Sequence, residues 1–235
     1  MSSDHFKFRQ FTIRHDRCAM KVGTDGVLLG ALAACQQPSG RILDIGTGSG
    51  LVALMMAQRF PLAAVTGIDI DHDACRQAAD NAAASPFADR ISIMHASLQD
   101  FTDNACETYD SIVCNPPFFE ETVECPDSAR NVARHTAALP YSTLLSCSRR
   151  LLADGGTMTV ILPTDRLPRI EEEGAYAGLF VNGLLHIRTV ERKPARRTIV
   201  TLGKTPTERT AVTRQLMEGN ERSPWYREIT KDFYL

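Results

Sequence analysis

The sequence predicts an α/β fold built on a mostly parallel β-sheet. From Arg41 onward, short apolar runs alternate with helix-like stretches, and a glycine-rich turn follows the first run. Strands separated by helices are typical of βαβ units and parallel sheets. The 235 residues suffice for one such domain with appendages and are few for two full domains. We therefore expect one main domain over residues 41–235, preceded by an N-terminal extension over residues 1–40 that packs on it.

The predicted elements follow in order along the chain. They are strand 41–44, helix 51–59, strand 64–69, helix 72–83, strands 91–96 and 109–114, helix 141–152, strand 157–162 and helix 169–179. The last two apolar runs, 183–190 and 197–203, are separated by the basic connection 192–196. This connection is too short for the crossover that parallel strands need, so the last pair should be antiparallel.

Residues 1–21 interleave aromatic and basic side chains, with five basic residues against two acidic ones. This alternation predicts a short N-terminal strand or hairpin, followed by a helix within the extension.

Bulk composition excludes several classes of protein. A formal charge of −2 and 43% hydrophobic residues argue against a disordered or fibrous chain and give no global sign of nucleic-acid binding. Seven cysteines form no CxxC pair and no metal-like spacing with the histidines, which favours separate reduced thiols and no metal. With no signal peptide and no apolar run of membrane-spanning length, we expect a soluble cytoplasmic protein.

A glycine-rich turn, Asp44-Ile45-Gly46-Thr47-Gly48-Ser49-Gly50, follows the first predicted strand. Glycines let the backbone turn tightly and approach a ligand, and the following helix N-terminus presents free amides. The turn therefore suits a nucleotide-like cofactor. The third glycine comes one residue too early for the dinucleotide fingerprint G-x-G-x-x-G, which weakens an NAD interpretation.

Asp69 lies 23 residues beyond Gly46, at the end of the second predicted strand. A carboxylate there can accept hydrogen bonds from two ribose hydroxyls, and after such a turn this role is favoured over a simple helix cap.

The tetrapeptide Asn115-Pro116-Pro117-Phe118 ends the apolar run 109–114. Two prolines cannot extend a helix and leave carbonyls without neighbouring amide hydrogens, so a rigid, acceptor-rich corner forms. The Asn115 side-chain oxygen and the Pro116 carbonyl can hold a planar NH₂ group, and Phe118 can stack on a base. This corner predicts an enzyme that methylates a planar amine.

These motifs resemble those of the S-adenosylmethionine-dependent amino-methyltransferases, which methylate exocyclic amines of bases or glutamine amides. Four further segments are similar to a narrower family, the bacterial enzymes that methylate N6 of adenine-37 in tRNA1(Val); they are residues 18–30, 123–125, 133–135 and 233–235. The resemblance implies a Rossmann-like class I methyltransferase with a seven-stranded, mostly parallel sheet, an antiparallel last strand and helices on both faces.

By position, the resemblance implies contacts with S-adenosylmethionine and with the target adenine. Residues 115–118 would hold the target adenine, and Asp69 would bind the ribose of the cofactor. The methionine part of the cofactor would be bound by Asp44, Gly46, Gly48 and Gly50, and its amino-acid group by Lys21, Gly23 and Thr24. One departure is Ala96-Ser97, where the family shows Ala-Asp. Either Ser97 or Asp100 then receives the amine of the cofactor's adenine.

The tRNA partner requires local basic surfaces, since the target base must be flipped or single-stranded, as in an anticodon loop. Candidates are Arg14 in the N-terminal segment and a second group with Glu191 as the only acid nearby in sequence, namely Arg188, Arg192, Lys193, Arg196 and Arg197. Residues 98–127 contain eight acidic residues and no basic one, so phosphates should pass on the opposite side of the pocket.

Two alternatives remain. The same chemistry could act on a release-factor glutamine amide or a ribosomal RNA base, although residues 1–40 are too few for the helical N-terminal domain typical of release-factor enzymes. A nucleotide-binding protein without catalysis is disfavoured by the N-P-P-F motif. We expect no membrane, metal or obligate protein partner.

Overall fold

The computed structural model describes residues 4–18, 20–116 and 139–235. The helices in these ranges are α1 (Thr24–Leu32), α2 (Leu51–Arg59), α3 (His72–Ala83), α4 (Leu98–Asn104), α5 (Tyr141–Leu151), α6 (Leu167–Ala177) and α7 (Pro224–Thr230). The strands are β1 (His5–Lys7), β2 (Thr12–Arg14), β3 (Arg41–Ile45), β4 (Ala64–Asp69), β5 (Ile91–His95), β6 (Tyr109–Cys114), β7 (Leu152–Pro163), β8 (Phe180–Arg188), β9 (Arg197–Gly203), β10 (Thr210–Gln215), β11 (Met217–Glu218) and β12 (Glu221–Arg222).

An eight-stranded sheet in the order β10-β8-β9-β7-β6-β3-β4-β5 forms the centre of the described fold. Strand β9 is antiparallel to both β7 and β8, which confirms the predicted antiparallel pair. The predicted sheet of seven strands has one strand too few, because β10 pairs with β8 in parallel and forms an additional edge strand. Residues of β10 are exposed almost throughout, so no buried face gives the sequence a strand-like alternation.

Two hydrophobic cores lie on opposite faces of the sheet. Along β3, Ile42 belongs to one core and Leu43 to the other, and along β6 Val113 and Ile112 divide in the same way. Because successive strand side chains point to opposite faces, both faces of the central strands are buried. This explains why their sequences are almost continuously apolar, as expected for parallel strands with helices on both sides.

The N-terminal segment forms the predicted hairpin, with β1 antiparallel to β2. Phe8 stacks on Phe11 at a centroid distance of 4.8 Å and on Tyr234 at 6.0 Å, and the Arg9 amide donates to the Phe233 carbonyl at 2.8 Å. Phe8 and Phe11 also belong to the core cluster that contains α2. The N-terminal hairpin and the C-terminal residues are thus fixed to each other, and the boundary at residue 40 stays a prediction.

Strand β7 begins five residues earlier than predicted, at Leu152 instead of residue 157. The sequence suggested a break at Asp154-Gly155-Gly156, and Gly155 does adopt φ +77°. The break is an irregularity in pairing and not an end, since β7 pairs with Tyr109 before the register shift and with Ser111 after it. No helix among the described residues is both long and apolar enough to cross a membrane.

Candidate active site

A cavity of about 480 Å³ opens at the edge of the sheet where β3, β4, β5 and β6 end. Ligands of open α/β sheets bind outside the carboxyl ends of the strands, and this volume suits a nucleotide-sized molecule. The described residues that line it are Cys18, Met20, Ile45, Gly46, Gly48, Ile68, Asp69, Ile70, Asp71, Ala74, Ala96, Ser97, Leu98, Gln99, Cys114, Asn115, Pro116, Leu139 and Pro140.

The glycine turn after β3 forms one wall of the cavity. Gly46 has φ +69° and Gly48 has φ +54°, and a Cβ atom added to either would meet nothing within 4 Å. The left-handed backbone favours glycine here, and the absent side chains leave open space on the cavity side. Gly50 is different, since its Cβ would lie 3.3 Å from the Ala78 Cβ of α3. The sequence analysis grouped three glycines that the structure divides into two lining residues and one packing residue.

Asp44 lies behind this turn and does not line the cavity. Its carboxylate is buried, and Oδ2 accepts hydrogen bonds from the Thr47 hydroxyl at 2.7 Å and the Ala53 amide at 3.1 Å. Burial raises the pKa of Asp44 to about 7, although both hydrogen bonds act in the opposite direction. In this structure the residue fastens the glycine turn to the start of α2.

The raised pKa predicts a pH-dependent stability that Asp44→Asn removes. An aspartate with an ordinary pKa near 3.9 in the unfolded chain and about 7 in the folded one loses stability as pH rises between these values. An amide oxygen at the Oδ2 position still accepts both hydrogen bonds. We expect the free energy of unfolding of wild type, relative to Asp44→Asn, to fall by about 2–3 kcal/mol between pH 5 and pH 8. Urea unfolding at both pH values measures this, and a pH-independent difference would contradict it.

Asp69, the last residue of β4, faces the cavity and also secures the turn. Its Oδ2 accepts from the Gly48 amide at 2.8 Å and its Oδ1 from the Asp71 amide at 2.9 Å. Each carboxylate oxygen keeps a further lone pair for an external hydroxyl. The cap of α3 is Asp71, whose side chain accepts from the Asp73 and Ala74 amides. The helix-capping role is therefore filled by a neighbour of Asp69.

Ser97 lines the part of the cavity beyond β5. Its hydroxyl donates to Asp100 Oδ2 at 2.7 Å and accepts from the Asp100 amide at 3.1 Å, so it also caps α4. Asp100 does not line the cavity, whereas Gln99 does. Of the two residues left open for the cofactor's adenine, the structure brings Ser97 to the cavity. Gln99 was missed because an exposed glutamine in a short helix carries no distinguishing sequence signal.

Asn115 follows the last residue of β6 and lines the opposite part of the cavity with Pro116. Its Oδ1 atom is buried and, within the described ranges, has no hydrogen-bond partner. A buried acceptor left without a donor costs about 1–3 kcal/mol, so the position is suited to receive an N–H group from a ligand. Pro117 and Phe118 lie outside the described residues, as do segments 123–125 and 133–135.

The segment before α1 contributes Cys18 and Met20 to the cavity, and the sequence analysis missed both roles. Lys21, Gly23 and Thr24, which it named instead, lie outside the lining, with Gly23 as the N-cap of α1. Burial, followed by the charges of nearby aspartates, raises the pKa of Cys18 to about 11, so the thiol is neutral. Across the part of the chain that the structure describes, all cysteines are free and no group of side chains could hold a metal ion.

The basic residues of the second predicted RNA surface divide into two groups. Arg197 forms an ion pair with Asp25 at 2.7 Å, and Arg188 donates to the Glu191 carbonyl at 2.7 Å. Glu191 is the only acid near these residues in sequence, but Asp25 lies close to Arg197 in space although it is 172 residues away in sequence. The exposed members are Arg192, Lys193 and Arg196, together with Arg14 at the end of β2.

We call residues 189–196, which join β8 to β9, the basic loop. Pro163 at the end of β7 pairs with Arg197 at the start of β9, and the Thr164 amide donates to the Arg196 carbonyl at 3.2 Å. The basic loop is therefore at the same edge of the sheet as the cavity. Neighbouring strands lie about 4.8 Å apart, so β9 is roughly 10 Å from β6, with β7 between them.

Solved structures with the same fold are methyltransferases. A predicted O-methyltransferase from Agrobacterium tumefaciens superposes with a TM-score of 0.69 at 18% identity, over 89% of this chain and 96% of that one. The structure of TrmN from Thermus thermophilus gives a TM-score of 0.54 at 24% identity, over 77% of this chain and 52% of that one. These likenesses establish the Rossmann-like class I methyltransferase fold.

Sequence comparisons are more specific. The family model described as the methyltransferase small domain matches residues 20–165 of the chain. Relatives named tRNA1(Val) (adenine(37)-N6)-methyltransferase are 42% identical in Parabacteroides distasonis, over 100% of this chain and 99% of the relative, and 40% identical in Yersinia enterocolitica, over 98% and 92%. A further relative of that name, from Bacteroides fragilis, is 42% identical over 100% of this chain and 99% of its own. The chain therefore belongs to the methyltransferase small domain family and, within it, to the family of tRNA1(Val) (adenine(37)-N6)-methyltransferases.

Proposed function

We propose that the chain transfers a methyl group from S-adenosylmethionine to the exocyclic N6 of an adenine in tRNA, at adenine-37 in the anticodon loop of tRNA1(Val). The observation that carries this proposal is the buried Oδ1 of Asn115, which has no hydrogen-bond partner among the described residues, at a cavity that Asn115 lines together with Gly46, Gly48 and Asp69. An amine acceptor and a nucleotide cradle meet in one space, as methylation of a base amine requires.

The lining fits the cofactor part by part. The bare backbone at Gly46 and Gly48 leaves room for a ligand, and Asp69 offers free lone pairs to ribose hydroxyls. Because β4 carries Asp69 between β3 and β5, the two ends of a bound nucleotide must extend to either side of it. We assign the adenine end to Ser97 and Gln99 beyond β5, and the methionine end to the glycine turn, toward Asn115.

S-adenosylmethionine, when bound, supplies an electrophilic methyl group on a sulfonium. The N6 lone pair of adenine is delocalised into the ring, so the enzyme must reorient it. Asn115 Oδ1 and the Pro116 carbonyl would accept the two N6 hydrogens and draw the nitrogen toward tetrahedral geometry. Positioning of this kind supplies most of the rate, and no separate general base is needed because a methylated ammonium readily loses its proton.

The RNA partner is assigned to the edge of the sheet that holds the cavity. The exposed Arg192, Lys193 and Arg196 belong to the basic loop, which leads into β9, roughly 10 Å from the strand that Asn115 follows. A flipped or single-stranded adenine in the cavity would bring its backbone over this region without melting a duplex. We place this activity in the cytoplasm, where tRNA is modified.

Total tRNA provides the direct test. We expect the purified full chain, incubated with S-adenosylmethionine and unfractionated tRNA from a strain lacking the modification, to form N6-methyladenosine detectable by nucleoside mass spectrometry. Digestion with a site-specific ribonuclease should place it at position 37 of tRNA1(Val). Methylation of ribosomal RNA or a release factor instead would select the alternative substrates. Cofactor binding without turnover on any of them would favour a nucleotide-binding protein.

The basic loop yields a prediction about RNA affinity. We expect the triple change of Arg192, Lys193 and Arg196 to Ala to weaken tRNA binding, since these side chains are exposed. Each lost phosphate contact should reduce the slope of log affinity against log salt by about 0.7–0.9. The affinity for S-adenosylhomocysteine should stay unchanged. Filter binding at several salt concentrations measures the slope.

Arg197→Ala serves as the comparison, because its guanidinium is already bound to Asp25. We expect it to affect thermal stability more than the salt slope. Superimposable lines for wild type and the triple variant would show that the basic loop is only a solvated surface.

A further inference from the structure

Arg166 ends a short 3₁₀ turn, Thr164–Arg166, directly after β7. Cys114, the last residue of β6, pairs with Val160, so β7 continues three residues further, to Pro163. Three strand residues span about 10 Å. The turn therefore lies beyond the level at which β6 ends, at the same edge of the sheet as the cavity.

The turn that contains Arg166 is near both α5 and the basic loop. Tyr141, the first residue of α5, follows the cavity-lining Leu139 and Pro140. Burial raises the pKa of the Tyr141 phenol, while the nearby Arg166 charge acts in the opposite direction and those of Cys114 and Asp165 act with burial. The hydrogen bond from the Thr164 amide to the Arg196 carbonyl joins the turn to the basic loop.

The Arg166 side chain is half-buried, and in the described ranges no hydrogen bond or ion pair involves its guanidinium. Nearby arginines differ: Arg169 pairs with Glu172 at 3.2 Å and with Glu173 at 2.6 Å, and Arg197 pairs with Asp25. Asp165 is adjacent in sequence but forms no such pair with it. A cation partly removed from water without a counter-charge is unfavourable, so the position suits an anionic ligand.

We infer that Arg166 binds a phosphate flanking the target adenine and positions the base for methyl transfer, an inference that depends on the proposed function. A base turned into the cavity holds its two flanking phosphates at the cavity mouth, and Arg166 is at the same edge of the sheet. The planar guanidinium can donate two parallel hydrogen bonds to one phosphate. Arg166 thus continues the path of the RNA backbone from the basic loop to the cavity.

Arg166→Ala should lower kcat/KM for tRNA at least about 10-fold, the effect of losing a charge-assisted hydrogen bond worth roughly 1.5–3 kcal/mol. Arg150→Ala is the matched control, because Arg150 is at the far end of α5 and pairs with Asp103 on the surface at 2.9 Å. It removes the same charge and should leave kcat/KM within twofold. Calorimetry with S-adenosylhomocysteine should give unchanged affinity for both variants.

A double-mutant cycle separates a phosphate contact from a structural role. Two tRNAs are assembled by ligation, each with a neutral methylphosphonate in place of one phosphate, either 5′ or 3′ of the target adenosine. We expect one of the two modified tRNAs to lower kcat/KM of the wild-type enzyme about as much as Arg166→Ala lowers it on unmodified tRNA. The same modified tRNA should lower kcat/KM of the Arg166→Ala variant little further. Full additivity at both linkages would overturn the inference. If the alanine variant does not fold, Arg166→Lys takes its place. A loss of kcat/KM that differs between the charged and the neutral linkage supports the phosphate contact, and an equal loss on both overturns it.

The two proposals fail in distinguishable ways. A wild-type chain that binds S-adenosylhomocysteine but methylates no tRNA would overturn the proposed function. A wild-type chain that methylates tRNA, with no coupling between Arg166 and either linkage, would overturn only the role of Arg166.

Discussion

Asn115→Ala is expected to reduce methyl transfer to tRNA by about 10²–10³-fold or more, the range found when one preorganised group that stabilises a transition state is removed. Asn115 lines the cavity, and its buried Oδ1 atom has no hydrogen-bond partner among the described residues, so it is available to hold the amine. Alanine removes the acceptor and, with it, the orientation of the N6 lone pair. Single-turnover methylation with saturating cofactor measures the chemical step directly.

The affinity for S-adenosylhomocysteine should persist in Asn115→Ala, because the glycine turn and Asp69 are on other strands. Asn104→Ala provides a control at the end of α4, where the exposed side chain donates to the Asp100 carbonyl at 2.8 Å and does not line the cavity. It should retain the wild-type rate. If Asn115→Ala lost cofactor affinity in proportion to rate, Asn115 would be a cofactor-binding residue instead of a substrate-positioning one.

Asp69→Ala is expected to weaken binding of S-adenosylhomocysteine by roughly 100-fold. Two hydrogen bonds from ribose hydroxyls to a charged acceptor, at about 1.5 kcal/mol each, correspond to this factor. The substitution also removes the acceptor for the Gly48 amide, which loosens the turn that forms the neighbouring wall. Isothermal titration calorimetry measures the dissociation constant.

Asp69→Asn should give an intermediate loss, since an amide keeps one acceptor oxygen. Asp80→Ala removes the same charge from the surface, where Asp80 pairs with Arg17 at 3.2 Å, and should leave the affinity unchanged. The affinity of all three variants for tRNA should remain near wild type. An unaltered dissociation constant in Asp69→Ala would show that the ribose is bound elsewhere.

Local sequence patterns determined most of the fold. Helices α2 and α3 and strands β4 and β6 have the bounds that their apolar runs predict, because a buried strand or helix face requires a continuous or periodic set of apolar side chains. The glycine turn and the N-P-P-F corner were equally readable, since backbone constraints at glycine and proline act within a few residues. These patterns also supplied the family and its chemistry.

Tertiary structure decided what depends on distant parts of the chain. Asp25 and Arg197 are far apart in sequence, and only the fold, in which α1 packs against β7 and β7 pairs with β9, makes them an ion pair. Similarly, only the fold reveals that Asp44 lies behind the glycine turn while Asp69 lines the cavity, although both are aspartates near the ends of neighbouring strands. Whether a side chain is buried, and what it contacts, depends on residues that are distant in sequence. The local sequence around Gln99, Cys18, Met20 and Arg166 therefore does not indicate their positions in the fold. The sequence by itself determined the reaction class, and the folded chain decided which side chains face the ligand.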